Sequence, residues 1–352
     1  MKQEENYSLK MVTQKEQLQD YIDAFEKNGS PKQIEKLQWT HFQNPLKTSL
    51  VSLTYTEKDE VASIYAAMPI YFKIGNSITK ACQSLDTLTD VNHRGKGLFV
   101  KSADRIYKRS IDEGFSLVYG FPNGNSVHGF TKKLNWKLLD PVPFLFKPLK
   151  TGYFLKKIMG KKIGDLLNFN IVSSKKIHLA ENEQLMEIEK FSKESDVLWE
   201  KFSSNFQISI QRNANYLNWR FVEKPYENYK RYGFYRDGNL LGFIVFINKA
   251  KHSGNIGYVM ELIVLPNETE AGKKLLQLAL NDFIKNKVDV ILSWCFHFSP
   301  NFKLYKSKGF YDLPEKLKPI ELHFGYANFN SDEAVIGKRE NWYLSYADSD
   351  TV

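Results

Sequence analysis

The chain has 352 residues, of which 42% are hydrophobic, 25% charged and 14% aromatic, and its net charge at pH 7 is +9. This length suits two domains better than one, and the composition is that of a globular protein, not a disordered or fibrous one. We expect neither a membrane span nor a secretory leader, because no apolar run reaches roughly 18 residues and the N-terminus lacks an apolar signal core.

Two amphipathic helices and three strands are predicted before residue 92, from their apolar periodicity and from the turn residues between them. The predicted helices cover residues 14–28 and 31–43, and the strands lie at about 49–56, 60–72 and 78–91. In the third strand Leu85, Thr87, Thr89 and Val91 alternate with other residues. This alternation is typical of a strand with one buried face.

A basic loop, Arg94-Gly95-Lys96-Gly97, follows the third strand, and from Leu98 onward the apolar residues return at helical spacing. A helix that begins directly after such a loop presents unpaired N–H groups and the positive end of its dipole, and phosphate suits both. The loop matches neither common nucleotide-binding glycine motif, and an ordinary surface turn would fit it as well.

The next elements are a strand over 115–121, a turn at Pro122–Ser126 and a short helix that ends at Leu134. This order resembles the GNAT superfamily of acyl-CoA-dependent N-acyltransferases, whose signature is [Gln/Arg]-x-x-Gly-x-[Gly/Ala] and, later, Leu-Tyr-x-x-x-Gly-Phe. Arg94–Leu98 fit the first motif, and Phe99 replaces its last small residue. Phe130–Trp136 fit the second motif loosely, with Thr131 at the position of the family's tyrosine acid and Asn135 at its glycine.

The resemblance implies that two neighbouring strands splay apart and hold the pantetheine arm of acetyl-CoA between Leu85–Val91 and Leu117–Phe121. It also assigns contacts to the cofactor. Backbone groups of Leu88 and Thr89 would bond the pantetheine amides, and Asn123, Asn125 or Ser126 would reach the pantetheine or its thiol end. The pyrophosphate would be bound by the N–H groups of Gly95, Lys96, Gly97, Leu98 and Phe99 and by the charges of Arg94 and Lys96.

The first half recurs in the second half at a nearly constant offset. Trp39 matches Trp219, Asp86 matches Glu261, Gly97 matches Gly272, and Leu134-Asn135-Trp136 matches Lys308-Gly309-Phe310. Because chance hardly explains four such matches in order, we predict an α/β protein of two GNAT-like domains, each a twisted mixed sheet flanked by helices. The predicted division is a catalytic, acetyl-CoA-binding domain at 1–150, a connector at 151–180 and a degenerate domain at 181–352.

The second copy differs from the first at its loop. Glu268 lies directly before the position of the basic loop and Glu270 lies within it, and both would repel a pyrophosphate, so we predict that this loop does not bind coenzyme A. Tyr305 keeps the family's tyrosine motif, but we expect it to pack under the sheet. The aromatic and acidic stretch 341–350 is expected either to pack across the domain seam or to close over an acceptor site.

Acyl transfer to an amine needs a proton acceptor, donors for the oxyanion and a proton for the leaving thiolate. Asp86 is the first candidate base because it lies on the strand that leads to the loop, Asp90 is the second and His128 the third. Each could instead be structural. Thr131 is a poor candidate acid, and Tyr119 or a water could take that role.

The sequence therefore predicts a cytoplasmic N-acetyltransferase that moves an acetyl group from acetyl-CoA directly to a primary amine of a small molecule, for which an amino sugar is one candidate. No metal is expected, because Cys82 and Cys295 lie in different halves and no metal-ligand spacing occurs. Scattered lysines favour a solvated surface over a nucleic-acid or membrane partner. The alternatives are a tRNA-dependent aminoacyltransferase of the peptidoglycan-bridge type and a non-catalytic acyl-CoA-binding sensor or scaffold.

Overall fold

The computed structural model describes residues 6–251, 253–314, 317–318 and 320–349. In chain order the strands are β1 (Ser8–Met11), β2 (Leu50–Tyr55), β3 (Val61–Ile74), β4 (Ser77–Thr89), β5 (Phe115–Gly120), β6 (Lys137–Leu138), β7 (Phe144–Pro148), β8 (Glu183–Glu187), β9 (Ile208–Ile210), β10 (Lys230–Arg236), β11 (Asn239–Lys251), β12 (Gly254–Val264), β13 (Val290–Trp294), β14 (Tyr311–Asp312) and β15 (Gly325–Asn328).

The helices pack on the faces of the sheets that these strands form. They are α1 (Leu18–Lys27), α2 (Ile34–His41), α3 (Leu98–Asp112), α4 (Val127–Lys133), α5 (Gly152–Met159), α6 (Lys161–Leu166), α7 (Lys193–Ser203), α8 (Ala214–Phe221), α9 (Thr269–Lys285), α10 (Phe302–Ser307) and α11 (Glu333–Ile336). Within the described residues, no helix combines the length and the apolar character that crossing a membrane requires.

The strands form two mixed sheets. The first has the order β1-β2-β3-β4-β5-β15-β6, with β9 beside β3, and the second has the order β14-β7-β13-β12-β11-β10-β8. Each sheet contains a parallel pair among antiparallel ones, β4–β5 in the first and β12–β13 in the second. The predicted fold of two mixed sheets flanked by helices is confirmed.

The two central hairpins carry the same irregularity. In the β3–β4 pair, Leu85 and Asp86 together oppose the single residue Ala66, which is a β-bulge. In the β11–β12 pair, Met260 is the extra residue, directly before Glu261. Because Asp86 and Glu261 hold equivalent places in the sequence repeat, the bulges are equivalent too. The two halves are therefore copies of one fold.

The helix that follows each bulged strand packs in the same way. Leu98, Ala103 and Ile106 form the buried face of α3, as their helical spacing predicts, and Ala271 and Leu275 do the same in α9. This packing fixes the start of α3 directly beyond the end of β4, which positions the basic loop.

Short strands cross from each half into the sheet of the other. β7 precedes the predicted connector and pairs with β13 of the second sheet, whereas β15 lies far beyond the connector and pairs with β5 of the first. β9, also from the second half, pairs with β3. The exchange interlocks the halves.

The C-terminal segment packs across the seam. Trp342 lies against Phe72 and Phe324, with ring centroids 6.0 and 5.2 Å away. Tyr346 lies 4.8 Å from Trp294 of the second sheet. Of the stretch predicted at 341–350, Asp350 lies outside the described residues.

Candidate active site

The loop between β4 and α3 leaves the N-terminus of the helix open. Gly95 and Gly97 have φ angles of +79° and +73°, a left-handed conformation that favours glycine, and no atom lies within 4 Å of where their Cβ atoms would be. Gly97 is the N-cap of α3, and the first turn contains no acidic residue. The first N–H groups of α3, which have no helical partners, therefore form a site that suits phosphate.

Two basic side chains flank this helix start. Arg94 and Lys96 are both exposed. The Nε of Arg94 donates a hydrogen bond to the Thr89 carbonyl at 3.4 Å, and the Nζ of Lys96 donates to the Tyr7 hydroxyl at 3.0 Å. Both charges thus lie at the loop on side chains long enough to turn toward a bound diphosphate.

Phe99, which replaces a small residue of the family motif, does not fill the loop. Its ring packs edge-on against Phe130, with the centroids 5.3 Å apart. A Cβ at Gly129 would lie only 3.1 Å from the Phe99 ring, so the glycine makes room for it. The larger side chain is accommodated in the core, and the loop stays open.

Strands β4 and β5 separate from Leu85 onward, as the resemblance implies for β4, but on β5 most of the predicted stretch Leu117–Phe121 is still paired with β4. Their parallel pairing ends at Ser84 and Gly120. Beyond this point β4 stays paired with β3 as far as Thr89, and a cavity of about 230 Å³, the fork cavity, opens between the two chains. A Cβ at Gly120 would lie 3.1 Å from the Ser84 carbonyl oxygen, a tight contact that glycine avoids just before the strands part.

Two of the predicted cofactor contacts, Asn123 and Ser126, line this cavity. Asn125 is exposed, and the Asn123 carboxamide oxygen accepts hydrogen bonds from the N–H groups of Asn125 and Ser126, both at 3.1 Å. Leu88 and Thr89 lie on β4 between the cavity and the loop, and the Leu88 carbonyl accepts a hydrogen bond from the Ser63 hydroxyl at 2.9 Å.

A larger cleft, of about 780 Å³, lies between the two halves of the chain. Residues from α2 and β4 form one side, and residues from α8, β11 and the C-terminal segment form the other. Leu85 and Asp86 line both this cleft and the fork cavity. The bulge of β4 is therefore the place where molecules in the two cavities would meet.

Asp86 is held at this junction by two donors. The Tyr21 hydroxyl donates to Oδ2 and the Lys32 ammonium contacts Oδ1, each at 2.6 Å. About a quarter of the Asp86 side chain is exposed. A carboxylate fixed in this way can bind an ammonium group or accept a proton from it.

The other two predicted bases lie elsewhere. Asp90 caps the turn before the loop, accepts a hydrogen bond from the Asn92 N–H at 2.9 Å and lies 3.6 Å from Lys27. The Asn92 hydrogen bond and the Lys27 charge outweigh burial and lower the pKa of Asp90. His128 is exposed on α4. Neither residue is among the described ones that line the cleft or the fork cavity.

The residue at the position of the family's acid is hydrogen-bonded within its own helix. The Thr131 hydroxyl donates to the Val127 carbonyl of its own helix at 2.9 Å. Tyr119, the other acid considered, is buried, and its hydroxyl donates to the Gln83 carboxamide oxygen at 3.1 Å. Gln83 in turn donates to the Asp348 carbonyl at 2.8 Å, which ties β4 to the C-terminal segment.

His41 is a further residue at the cleft, and the sequence did not predict it. It lines the cleft and is 1% exposed, and its Nδ1 has no hydrogen-bond partner among the described residues. Burial lowers the pKa of His41 to about 4; the Asp86 charge opposes the shift and the Lys32 charge adds to it. The imidazole is therefore neutral at pH 7. Nothing in the sequence singles it out, since its neighbours are those of an ordinary amphipathic helix.

The equivalent fork of the second half is filled by protein. The β12–β13 pairing ends at Tyr258 and Leu292, and the ring of Tyr346 lies 5.1 Å from that of Tyr258 just there. Glu261, the counterpart of Asp86, is fully buried and accepts hydrogen bonds from Tyr343 at 2.6 Å and Ser345 at 2.8 Å. The C-terminal segment thus takes the place of a ligand.

In the second half, the acidic side chains at the start of α9 are paired with basic side chains of the protein. Glu268 accepts two hydrogen bonds from Arg236, each at 3.0 Å, and Glu270 pairs with Lys273 at 2.7 Å. Tyr305 is buried, and its hydroxyl contacts the Ser293 hydroxyl at 3.0 Å. The second copy is degenerate at each of these positions.

Among the described residues, no cluster of three or more His, Cys, Asp or Glu side chains has the arrangement of a metal site. That the reaction needs no metal remains a prediction from the sequence.

The chain is similar to known acyltransferases. Residues 12–139 match a family model described as "Acetyltransferase (GNAT) domain". Among solved structures, the chain resembles N-myristoyltransferase from Saccharomyces cerevisiae, solved with bound myristoyl-CoA and inhibitors, with a TM-score of 0.61 and 14% identity over 96% of this chain and 86% of that one. It also resembles a GCN5-related N-acetyltransferase from Anabaena variabilis, with a TM-score of 0.60 and 13% identity over 92% of this chain and 73% of that one. No curated protein matches the sequence.

Proposed function

We propose that this chain, a GNAT-superfamily acyltransferase through its domain at residues 12–139, moves an acetyl group from acetyl-CoA to a primary amine of a small molecule. One observation carries the proposal: the open start of α3, the fork cavity and the cleft follow one another, and the last two meet at Leu85 and Asp86. A two-substrate transfer needs two compartments that share a wall at the reacting atoms.

The residues present fit a coenzyme A thioester. The N–H groups at the start of α3, with Arg94 and Lys96 beside them, would hold the diphosphate. Asn123 and Ser126, on the polar side of the fork cavity, would bond the amide-rich pantetheine arm. When bound, the cofactor supplies an acyl group as a thioester, which a neutral amine attacks.

The lining of the fork cavity favours a short acyl group. The pantetheine arm would take up the cavity of about 230 Å³, and Ser84, Asp86 and Thr87 contribute polar groups to its wall. A long acyl chain would have to leave polar groups unsatisfied or displace the packed rings around it. We therefore expect acetyl, not the myristoyl group that the yeast structure carries.

The chain's own groups would orient the amine and remove its proton. Asp86 would bind the ammonium of the incoming acceptor at the junction of the cavities. The neutral imidazole of His41, on the same wall of the cleft, offers a second acceptor. The bulge at Leu85 and Asp86 frees a main-chain group from the strand ladder, which can then bond a developing oxyanion.

The test is release of coenzyme A from acetyl-CoA in the presence of a panel of primary amines, with myristoyl-CoA as the matched control. We expect amine-dependent release from acetyl-CoA and at most slow release from myristoyl-CoA. Tight binding of acetyl-CoA without release for any amine would instead identify a sensor. A tRNA shift that weakens across a salt series would indicate an aminoacyltransferase.

A further inference from the structure

Both side chains considered as the acid for the leaving thiolate are already hydrogen-bonded within the protein. The Thr131 hydroxyl donates to the Val127 carbonyl, and the Tyr119 hydroxyl donates to the Gln83 carboxamide oxygen. A different hydroxyl, that of Ser84, lines the fork cavity itself. Its position and its surroundings give it a role toward the sulfur of coenzyme A.

Ser84 lies at the closed end of the fork. It is the last residue of β4 that pairs with β5, and its partner there is Gly120. The basic loop, which suits the diphosphate, lies beyond Thr89 at the other end of the separated stretch of β4. A pantetheine arm that starts from a diphosphate at the loop and runs between the strands therefore brings its sulfur end toward Ser84.

The Ser84 hydroxyl is buried without a hydrogen bond. The residue is 9% exposed, and its Oγ has no hydrogen-bond partner among the described residues. Burial raises the pKa of Tyr65, and the nearby Ser84 hydroxyl opposes the shift, but no hydrogen bond of ordinary length and angle joins the two side chains. The Tyr65 hydroxyl is instead bonded to that of Tyr107 at 3.0 Å. Because a buried hydroxyl without a partner is unfavourable, a ligand that offers it an acceptor forms a hydrogen bond that the free protein lacks.

The glycine opposite Ser84 leaves room for such a contact. A Cβ at Gly120 would lie 3.5 Å from the Ser84 Cβ and 3.3 Å from the Trp136 ring. Trp136 and Phe130 line the fork cavity as well, so this side of the fork faces α4, the helix that carries Thr131. Rotation about the Cα–Cβ bond of Ser84, between staggered conformations, turns its hydroxyl into the cavity.

We propose that the Ser84 hydroxyl donates a hydrogen bond to the sulfur of coenzyme A as the thioester breaks. The inference rests on the proposed function, because it assigns a residue to the leaving group of that transfer. As the amine nitrogen bonds to the acyl carbon, the electron pair of the C–S bond passes to sulfur and the amine proton passes to Asp86. Ser84 keeps its own proton, and the released thiolate is protonated by solvent. Because a charged acceptor strengthens a hydrogen bond, the contact with Ser84 strengthens as the sulfur becomes negative.

Calorimetry on the full chain tests the contact without requiring catalysis. The ligands are coenzyme A and desulfo-coenzyme A, in which a hydrogen replaces the thiol, at pH 9, above the ordinary thiol pKa of about 8.5. We expect the preference of the parent chain for coenzyme A over the desulfo compound to fall about tenfold in Ser84→Ala. This comparison isolates the pair of hydroxyl and sulfur, as a double-mutant cycle does.

Ser52→Ala is the matched control. The Ser52 Oγ, on β2, is also buried and has no hydrogen-bond partner among the described residues, but Ser52 is not among those that line the cleft or the fork cavity. Each substitution removes an unbonded hydroxyl, so neither should lower the free energy of unfolding, measured with urea. Only Ser84→Ala should change the preference between the two ligands. Ser84→Cys keeps a weak donor and should keep part of the preference.

Turnover provides the second measurement. With acetyl-CoA and an accepted amine, Ser84→Ala should lower kcat about tenfold and leave KM for the amine unchanged, since the hydroxyl acts on the leaving group. A preference for coenzyme A that Ser84→Ala leaves unchanged, or that Ser52→Ala reduces equally, would overturn the inference. If the parent chain binds neither ligand, the proposed function fails together with the inference. If it binds both but releases no coenzyme A from acetyl-CoA, the proposed transfer fails and the calorimetry still decides the contact with Ser84.

Discussion

Trp39 and Trp219 stack on each other across the seam between the two halves. Their ring centroids lie 4.2 Å apart, and the ring planes are inclined by 7°. The Nε1 of Trp39 donates to the Trp219 carbonyl at 2.9 Å, and the Nε1 of Trp219 donates to the Trp39 carbonyl at 3.2 Å. Each tryptophan donates to the backbone carbonyl of the other, so the contact is reciprocal, like the isologous interface of a symmetric dimer. It joins α2 to α8 beside the cleft.

A double-mutant cycle should show that this pair is energetically coupled. Replacing either tryptophan with phenylalanine removes one buried hydrogen bond and should lower the free energy of unfolding by about 1–2 kcal/mol. Because the rings also stack, the double variant should depart from additivity by about 1 kcal/mol, measured by urea unfolding.

Trp136→Phe is the control for that cycle. The Trp136 indole packs against Phe130 in the first half, and its Nε1 donates to the Tyr107 hydroxyl at 2.7 Å. Combined with Trp39→Phe, its effect should be additive. If the effects of Trp39→Phe and Trp219→Phe on the free energy of unfolding were additive, contacts other than this pair would join the two halves.

Much of the fold could be predicted because key residues at matching positions of the repeat are of the same type in both copies. Trp39 and Trp219 are aromatic in both copies, and Asp86 and Glu261 are both acidic, so the sequence aligned pairs that the structure makes equivalent. The basic loop could also be predicted, because glycines with positive φ angles leave a visible signature.

The strand exchange could not be predicted. β15 has four residues and β7 has five, too few for a reliable alternation, and their sheet is decided by tertiary contacts that local propensity does not encode. Which of the three candidate bases lies at the cavities could not be predicted either. Asp86 lies there and Asp90 and His128 do not, because a residue's distance from the cavities depends on where β4 and β5 separate.

The basic loop should dominate coenzyme A affinity. Arg94→Glu places a negative charge at the start of α3 and should weaken binding at least tenfold, since it replaces attraction to the diphosphate with repulsion. Calorimetry with coenzyme A measures the effect, and circular dichroism checks that the chain is folded. Glu270→Ala changes the equivalent loop of the second half and should leave the affinity unaltered. Equal affinities for Arg94→Glu and the parent chain would place the diphosphate elsewhere.

Replacing the carboxylate at the junction should impair turnover more than binding of coenzyme A. Asp86→Asn keeps the shape but can neither attract an ammonium nor take its proton, so kcat/KM for the amine should fall by about 10²–10⁴. Steady-state release of coenzyme A gives this value, and calorimetry shows whether the cofactor still binds. His128→Gln, on the exposed face of α4, should retain most activity. If His128→Gln instead lowered kcat/KM more than Asp86→Asn does, His128 would be the base.

The buried histidine predicts how stability depends on pH. Because the folded-state pKa of His41 is about 4 and the unfolded value about 6.5, the unfolded chain binds one more proton between these values. Stability from this group is therefore fully present above pH 6.5 and declines by about 3 kcal/mol as the pH falls to 4. Urea unfolding of the parent chain and His41→Leu at pH 7 and 4.5 isolates the effect. The parent should lose more stability on acidification than the variant does.

The C-terminal segment is held by a buried ionic cluster whose removal should be costly. Arg212, itself inaccessible to solvent, contacts Glu261 and Asp348, each at 2.6 Å. Arg212→Met leaves two carboxylates in an apolar interior and should destabilise the chain by about 3–5 kcal/mol. Adding Glu261→Gln and Asp348→Asn removes the unpaired charges and should recover much of that loss in a thermal or urea unfolding experiment. Because Ala347 and Ser349 of this segment line the cleft, Arg212→Met should also raise KM for the amine. A stable Arg212→Met variant with an unchanged KM would mean that aromatic packing alone holds the segment in place.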